Sequence, residues 1–261
     1  MSPAFQAAQS GFRLSLPAPL KDYFLKTAPI TVEYLDHIGS DLDVVNAARV
    51  SFDKESDWES EALCPTDPVT GGKLFPYKRL KEQDVKLIDY LAKHKHWSPF
   101  SHCYLKFRVK APIFVARQLQ KHTVGLAWNE VSRRYVDSEP EFYLPDTWRA
   151  KADNVKQGSK LESVEFDDND PLWITQTLEA NLNLYNYLIN IGTCPEQARM
   201  VLPQSMMTTW IWSGSLAAFA RVVKLRTDPH SQYETGLVAH GIKYHLDNLF
   251  PVSTKALLAY D

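Results

Sequence analysis

Cysteine is scarce in this chain of 261 residues: only Cys64, Cys103 and Cys194 occur, far apart and with no C-x-x-C pair. An odd count without that spacing argues against a disulfide framework and against a zinc knuckle, and a reducing cytoplasm is the simple setting. An excess of charge of one sign is also lacking. The formal net charge is -2, so no global basic field exists to hold a nucleic acid polymer, and a polyanionic partner must meet a local arginine cluster. No apolar run reaches the roughly 20 residues of a membrane span, so no membrane partner is expected. The opening MSPAFQAAQSGFRLSLPAPL has no long apolar core of the kind a secretory signal needs. A Gly-rich dinucleotide fingerprint, a βαβ rhythm, internal repeats and low-complexity tracts are missing as well.

Apolar and aromatic side chains are plentiful. The chain is 44% hydrophobic and carries 7 Trp, 12 Tyr and 12 Phe, enough for one well-buried domain and unlike a disordered chain. Residues 1–29, rich in Ala, Pro and Ser, read as an arm. A short strand is expected at Ile30–Leu35. SDLDVVNAARVSF reads as a helix capped by Ser40 or Asp41, with Leu42, Val45 and Ala48 on one face. Residues 53–80, with acids, prolines and a Gly-Gly pair, read as a long surface excursion. EQDVKLIDYLAKHKH is a helix with Val85, Ile88 and Leu91 on its buried face, stopped by Ser98-Pro99.

HCYLKFRVK alternates. Cys103, Leu105, Phe107 and Val109 face one way and polar residues the other, as in a half-buried strand. Pro112 suits the first turn of the helix APIFVARQLQKH. A loop with Gly125 follows, and PEFYLP reads as a short strand. Residues 150–170 form a second polar excursion. PLWITQTLEANLNLYNYLINIG is a long helix with Asp170 as cap candidate and Gly192 beyond its end. PEQARMVLP is a short helix, MMTTWIW a strand, and SLAAFARVVKLR a helix capped by Ser213 or Ser215. The last helix covers about Gln232–Leu249. The order describes a mixed α/β chain.

The densest polar constellation is Arg117, Gln118, Lys121, His122, Asn129, Glu130, Ser132, Arg133, Arg134 and Tyr135. Arg117 and Lys121, four apart, share a helical face. Arginine forks bind phosphate in two-pronged fashion, and Ser and Asn complete the set of contacts. On composition alone, a solvated basic edge explains the same residues. Arg199 and Arg226 form a second pair beside apolar helices. Arg226 by itself also fits a cation complementing a helix C-terminus. His94 and His96 sit on different faces of their helix with no ligand-spaced carboxylate or Cys nearby, so no metal site is expected. None of the cysteines has neighbours that would activate it as a nucleophile.

The segment RQLQKHTVGLAWNEVSRRY resembles the signature of the flavin-dependent thymidylate synthases, Arg-His-Arg, then seven or eight residues, then Ser. Between Thr123 and Ser132 lies VGLAWNEV, the eight-residue form. DLDVVNAARVSFD, LAKHKHWSPFSH, FRVKAPIFVARQ, EFYLP, QARMVLP and LRTDPHSQYE resemble further family blocks in the same order. The resemblance spans roughly residues 30–250 and leaves out the arm and both excursions.

The resemblance implies an α/β fold of the α+β type: one domain over 30–255, with a central mixed sheet flanked by helices, assembled as a homotetramer with active sites between subunits. It implies FAD as cofactor, NADPH as its reductant, methylenetetrahydrofolate as carbon donor, and conversion of dUMP to dTMP without a protein nucleophile. By the same resemblance Gln118, Lys121, Glu130, Ser132, Arg133, Arg134 and Arg199 bind dUMP. Arg226 is catalytic, lying against the uracil and favouring the anion at N3. Ser51, His96, Ser98, Lys121, His122, Thr123, Glu130, Ser215 and Arg221 approach FAD or folate.

Two departures stand out. Lys121-His122-Thr123 replaces Arg-His-Arg, and Ser215 and Ala217 stand where many members carry Asn and Arg, with Arg221 as the candidate replacement. Three alternatives remain open at this point: methylation of dCMP, hydroxymethylation of dUMP, or a non-catalytic nucleotide- or flavin-binding homologue.

Overall fold

Four strands form the central sheet in the computed structural model, which describes residues 25–63, 76–136, 138–153, 158–167 and 170–260. They are β1 (Thr31–Ile38), β4 (Tyr104–Pro112), β5 (Leu126–Glu130) and β8 (Met207–Ser215), in the order β1-β4-β8-β5. Every neighbouring pair is antiparallel. The expected mixed sheet is therefore corrected to an antiparallel one. The reason was present in β4. Leu105, Phe107 and Val109 are buried while Tyr104, Lys106 and Arg108 are exposed, and burial of one face only is the habit of antiparallel sheets.

Helices cover the buried face. Trp212 of β8 lies opposite Phe107 of β4. Both rings meet Phe219 edge-on, at centroid distances of 5.4 and 5.0 Å. Phe219 belongs to α6 (Leu216–Arg226), which packs with α7 (Tyr233–Leu249) beneath the sheet. Ser215 begins α6 as the N-cap, accepting a hydrogen bond from the Ala218 N–H. Of the two serines considered for this cap, the later one serves. A second core joins α4 (Asp170–Asn190) and α5 (Pro195–Ala198) through Leu182, Tyr185 and Ala198, with Phe142 and Met206.

Several local expectations change. α2 (Glu82–Lys93) buries Asp84, Ile88, Leu91 and Ala92, and Val85 is exposed. The face rotates toward Asp84 because Arg49 and Ser56 both donate hydrogen bonds to its carboxylate. PEFYLP forms no strand. Phe142 alone bridges Thr27 and Met206, and the flanking prolines, which lack N–H donors, limit a longer ladder.

Each excursion holds a two-stranded hairpin, β2 (Glu59–Leu63) with β3 (Pro76–Arg79), and β6 (Arg149–Lys151) with β7 (Ser159–Ser163). The arm residues 1–24 and the stretch 64–75, which includes Cys64, lie outside the described residues. A helix not foreseen, α8 (Pro251–Ala259), follows α7. Asp41, at the start of α1 (Asp41–Arg49), accepts the Val252 and Ser253 N–H groups at 2.9 Å each. It thus caps α8 across the fold, while Ser40 donates to Asp43.

Candidate active site

The β5–β8 pairing sets the first wall of the site. Leu126 pairs with Gly214, and a Cβ on Gly214 would collide with the Gly125 carbonyl and the Leu126 side chain. Only glycine permits this approach, which holds the Thr123–Gly125 loop against Ser215 and the start of α6. Beside it opens a cavity of about 570 Å³. Leu91, Ala92, Phe100, Ala217, Ala220 and Leu257 give it an apolar lining, and Lys95, Arg221 and Lys224 supply cations. His96, Trp97 and Tyr260 also line it. The Arg221 guanidinium donates to the Val124 carbonyl at 2.7 Å, tying the loop down. Lys224 donates to the Tyr260 carbonyl.

An apolar slot with cations at its edge and a helix N-terminus in its wall suits a planar heterocycle carrying phosphates. The residues present therefore fit a flavin dinucleotide. Of the residues expected near flavin or folate, His96, Ser215 and Arg221 line this cavity. Ser215 already accepts the α6 capping bond, so its hydroxyl hydrogen is what it can offer a ligand. Ser98 is exposed just before the turn Pro99–Ser101, and Ser51 is exposed in the turn Val50–Phe52. Lys121 and Thr123 are exposed in the loop leading to Gly125.

Next to this cavity lies the pair Arg226–His122. Arg226 Nε donates to His122 Nε2 at 2.9 Å. Burial holds the imidazole below its usual pKa, and the positive charges of Arg226 and Arg221 add to the effect. His122 is thereby a neutral acceptor that orients the guanidinium. Gln118, on α3 (Ile113–Leu119), donates to Gln232 and accepts from Thr235 at 3.2 Å.

The other expected dUMP contacts gather elsewhere. Glu130, Arg133 and Arg199 line a second cavity of about 810 Å³. Glu130 accepts from Thr208 at 2.8 Å and from Trp128 at 3.2 Å. Arg133 donates to the Ser138 carbonyl, Arg199 to the Glu196 carbonyl at 3.3 Å, and Arg134 to Ser132 at 3.3 Å. The same cavity holds Glu139, Glu141 and Glu196. Within one chain, then, the residues assigned to dUMP divide between two places. Arg117 and Lys121, read as sharing a face, are both exposed, and Lys121 lies past the end of α3.

Cys103 is buried behind β4, and burial followed by the charges of Asp43 and Asp41 pushes its thiol up to about 12. Among the described residues no group of three His, Cys, Asp or Glu side chains is arranged for a metal, and no helix is long and apolar enough to cross a membrane. The sequence reading missed Leu257 and Tyr260, because nothing announced α8. It also missed Arg149, which gave no local signal at the edge of the second polar excursion. Gln232 and Glu234, by contrast, stood in the quoted block LRTDPHSQYE.

Comparison with known proteins shows what the chain is similar to. The family described as thymidylate synthase complementing protein matches residues 33–252. A flavin-dependent thymidylate synthase of Kosmotoga olearia is 34% identical over 230 residues, covering 88% of this chain and 90% of the relative. One of Thermosipho melanesiensis is 35% identical over 201 residues, 77% of this chain and 78% of the relative. The crystal structure of a UMP/dUMP methylase, PolB from Streptomyces cacaoi bound with 5-Br dUMP, superposes with a TM-score of 0.73 at 29% identity, covering 90% of this chain and 97% of that one. These likenesses establish that the chain belongs to the flavin-dependent thymidylate synthase family.

Proposed function

We propose that this protein methylates dUMP to dTMP, with methylenetetrahydrofolate as carbon donor and FAD reduced by NADPH. The observation that carries the reading is the juxtaposition of an apolar, cation-edged cavity with a guanidinium held by a neutral histidine, in a chain of this family. When bound, FAD supplies the hydride that completes the methyl group. The chain's own residues do the rest. Lys95 and Arg221 would hold the flavin phosphates, and Leu91, Phe100, Ala217 and Leu257 would exclude water from its rings.

Arg226 would face the uracil. Loss of the N3 proton raises electron density at C5, and a guanidinium beside N3 and the carbonyl oxygens stabilises that anion. His122, kept neutral, accepts the Nε–H and leaves the remaining N–H donors of Arg226 for the base. Cys103 is buried and its thiol is pushed up to about 12, which makes it a poor nucleophile at neutral pH and fits electrostatic activation of C5 by Arg226. Gln118, Glu130, Ser132, Arg133, Arg134 and Arg199 are proposed as dUMP contacts.

The test is direct. Flavin-loaded protein given dUMP, methylenetetrahydrofolate and NADPH should form dTMP while consuming NADPH. No dTMP from protein with bound flavin would overturn the reading. A second reading, methylation of UMP, is favoured by one observation, the superposition on a methylase named for both UMP and dUMP. Turnover of UMP beside dUMP under identical conditions separates the two.

A further inference from the structure

The hairpin β6–β7 belongs to an excursion outside the family motifs, yet its first strand reaches the polar centre of the fold. Arg149 of β6 makes a two-pronged contact with Glu234 of α7, at 2.8 and 3.0 Å from one nitrogen to the two carboxylate oxygens. The side chains are 17% and 6% exposed. The guanidinium lies 4.6 Å over the Tyr233 ring and also donates to Ser159 Oγ at 2.8 Å. Glu234 Oε2 accepts from Gln232 Nε2 at 3.1 Å. Gln232 Oε1 in turn accepts from Gln118 Nε2, and Gln118 Oε1 accepts from the buried Thr235 hydroxyl.

This chain of contacts has a direction. A carboxylate only accepts, so Gln232 must present its NH₂ to Glu234. Its carbonyl oxygen then faces Gln118, which must answer with its own NH₂. The Thr235 hydroxyl donates or accepts equally well and imposes nothing. The polarity of the Gln118 amide is therefore set two residues away, by Glu234, which Arg149 holds in place. We propose that Arg149, Glu234 and Gln232 are positioning residues that fix which way the Gln118 amide points, making the hairpin a part of substrate recognition. The proposal rests on the reading of Gln118 as a dUMP contact. With the relay intact, Gln118 keeps one N–H and one carbonyl lone pair for the substrate in a fixed order. With a neutral amide at 234, both glutamines can turn over, and part of the population presents the wrong group.

The experiment compares three variants of the flavin-loaded protein, reading dUMP affinity by calorimetry, KM and kcat at saturating folate and NADPH, and the thermal midpoint. Gln118→Ala should weaken dUMP binding. Glu234→Gln should raise the dUMP Kd and KM about 2- to 10-fold, the range of one neutral hydrogen bond, with kcat much less affected. It should also lower the midpoint, because Arg149 loses its partner. In Arg149→Met/Glu234→Gln both charges are gone. The midpoint should recover relative to Glu234→Gln while the dUMP Kd stays raised, since the direction of the amides is still unset. Recovery of both together would make the pair merely structural and overturn the relay. So would a normal Kd in Glu234→Gln when Gln118→Ala has weakened binding. Unchanged dUMP affinity in Gln118→Ala overturns the substrate assignment of Gln118 and the relay with it.

Discussion

At the scale of single residues, the Arg226–His122 contact joins electrostatics to the proposed chemistry. Burial is the larger cause of the lowered imidazole pKa, and the Arg226 charge is the next. Arg226→Ala should therefore raise the His122 pKa only part of the way back, as read by NMR of the imidazole. A full return to an ordinary value would mean that burial is not the main cause. The sign for stability follows. A base whose folded pKa is lowered contributes fully above the unfolded value of about 6.5 and loses its contribution as pH falls toward the folded value.

In catalysis, Arg226→Ala should cut single-turnover dTMP formation on the order of 100- to 1,000-fold, the cost of one preorganised donor. Its dUMP affinity, measured by calorimetry, should change much less. Wild-type turnover at saturating dUMP would reduce Arg226 to a binding residue. Cys103→Ala should fold and retain turnover, because a thiol pushed up to about 12 is protonated at neutral pH. A folded, dUMP-binding Cys103→Ala protein that makes no dTMP would revive covalent catalysis.

Among the elements, α8 is the one that local sequence concealed and the fold explains. Pro251 suits its first turn, but its Val252 and Ser253 N–H groups are satisfied by Asp41, some 210 positions earlier. Burial pushes the Asp41 carboxyl up, against the opposing pull of these hydrogen bonds. Removing such a cap costs about 0.5–2 kcal/mol. Asp41→Ala should lower the thermal midpoint, and Asp41→Asn, which keeps one acceptor oxygen, should lower it less. The helix also closes one side of the cavity proposed for flavin through Leu257 and Tyr260. Asp41→Ala is accordingly expected to weaken flavin binding as well, seen as a higher flavin Kd by fluorescence. An unchanged midpoint would show that the cap contributes nothing measurable.

For the whole molecule, the division of the proposed dUMP residues between two cavities bears on assembly. Leu172, Trp173, Ile191 and Met200 expose large apolar side chains on and beyond α4, at 53%, 64%, 59% and 78%. A homotetramer with sites between subunits, as the family resemblance implies, would bring residues of the second cavity to the first cavity of another copy. Light scattering should give four times the chain mass of 29.8 kDa. Arg199→Ala and Arg226→Ala proteins, each weakly active alone, should recover activity when refolded together, since some shared sites then contain both arginines. A monomer in solution, or no recovery in mixed assemblies, would place a complete site within one chain.

Much of this organisation was legible in the amino-acid order. The alternation of Leu105, Phe107 and Val109 fixed a half-buried strand, because side chains on a strand repeat every second residue. Apolar spacing and end signals located α1, α2, α4, α6 and α7; ordered motifs contained His96, His122 and Arg226, and Ser215 and Arg221 stood where the chain departs from the family pattern. What only tertiary structure decided were long-range pairings that leave no periodic trace. Strand direction depends on which partner lies alongside. Asp84 turned inward because Arg49 and Ser56, 35 and 28 positions away, converge on it. Asp41 serves a helix at the other end of the chain. Arg149 acquires its place only when a polar hairpin folds back onto Glu234. A local pattern reports which face of an element is buried, whereas the partner of a buried charge is chosen by the closure of the whole fold.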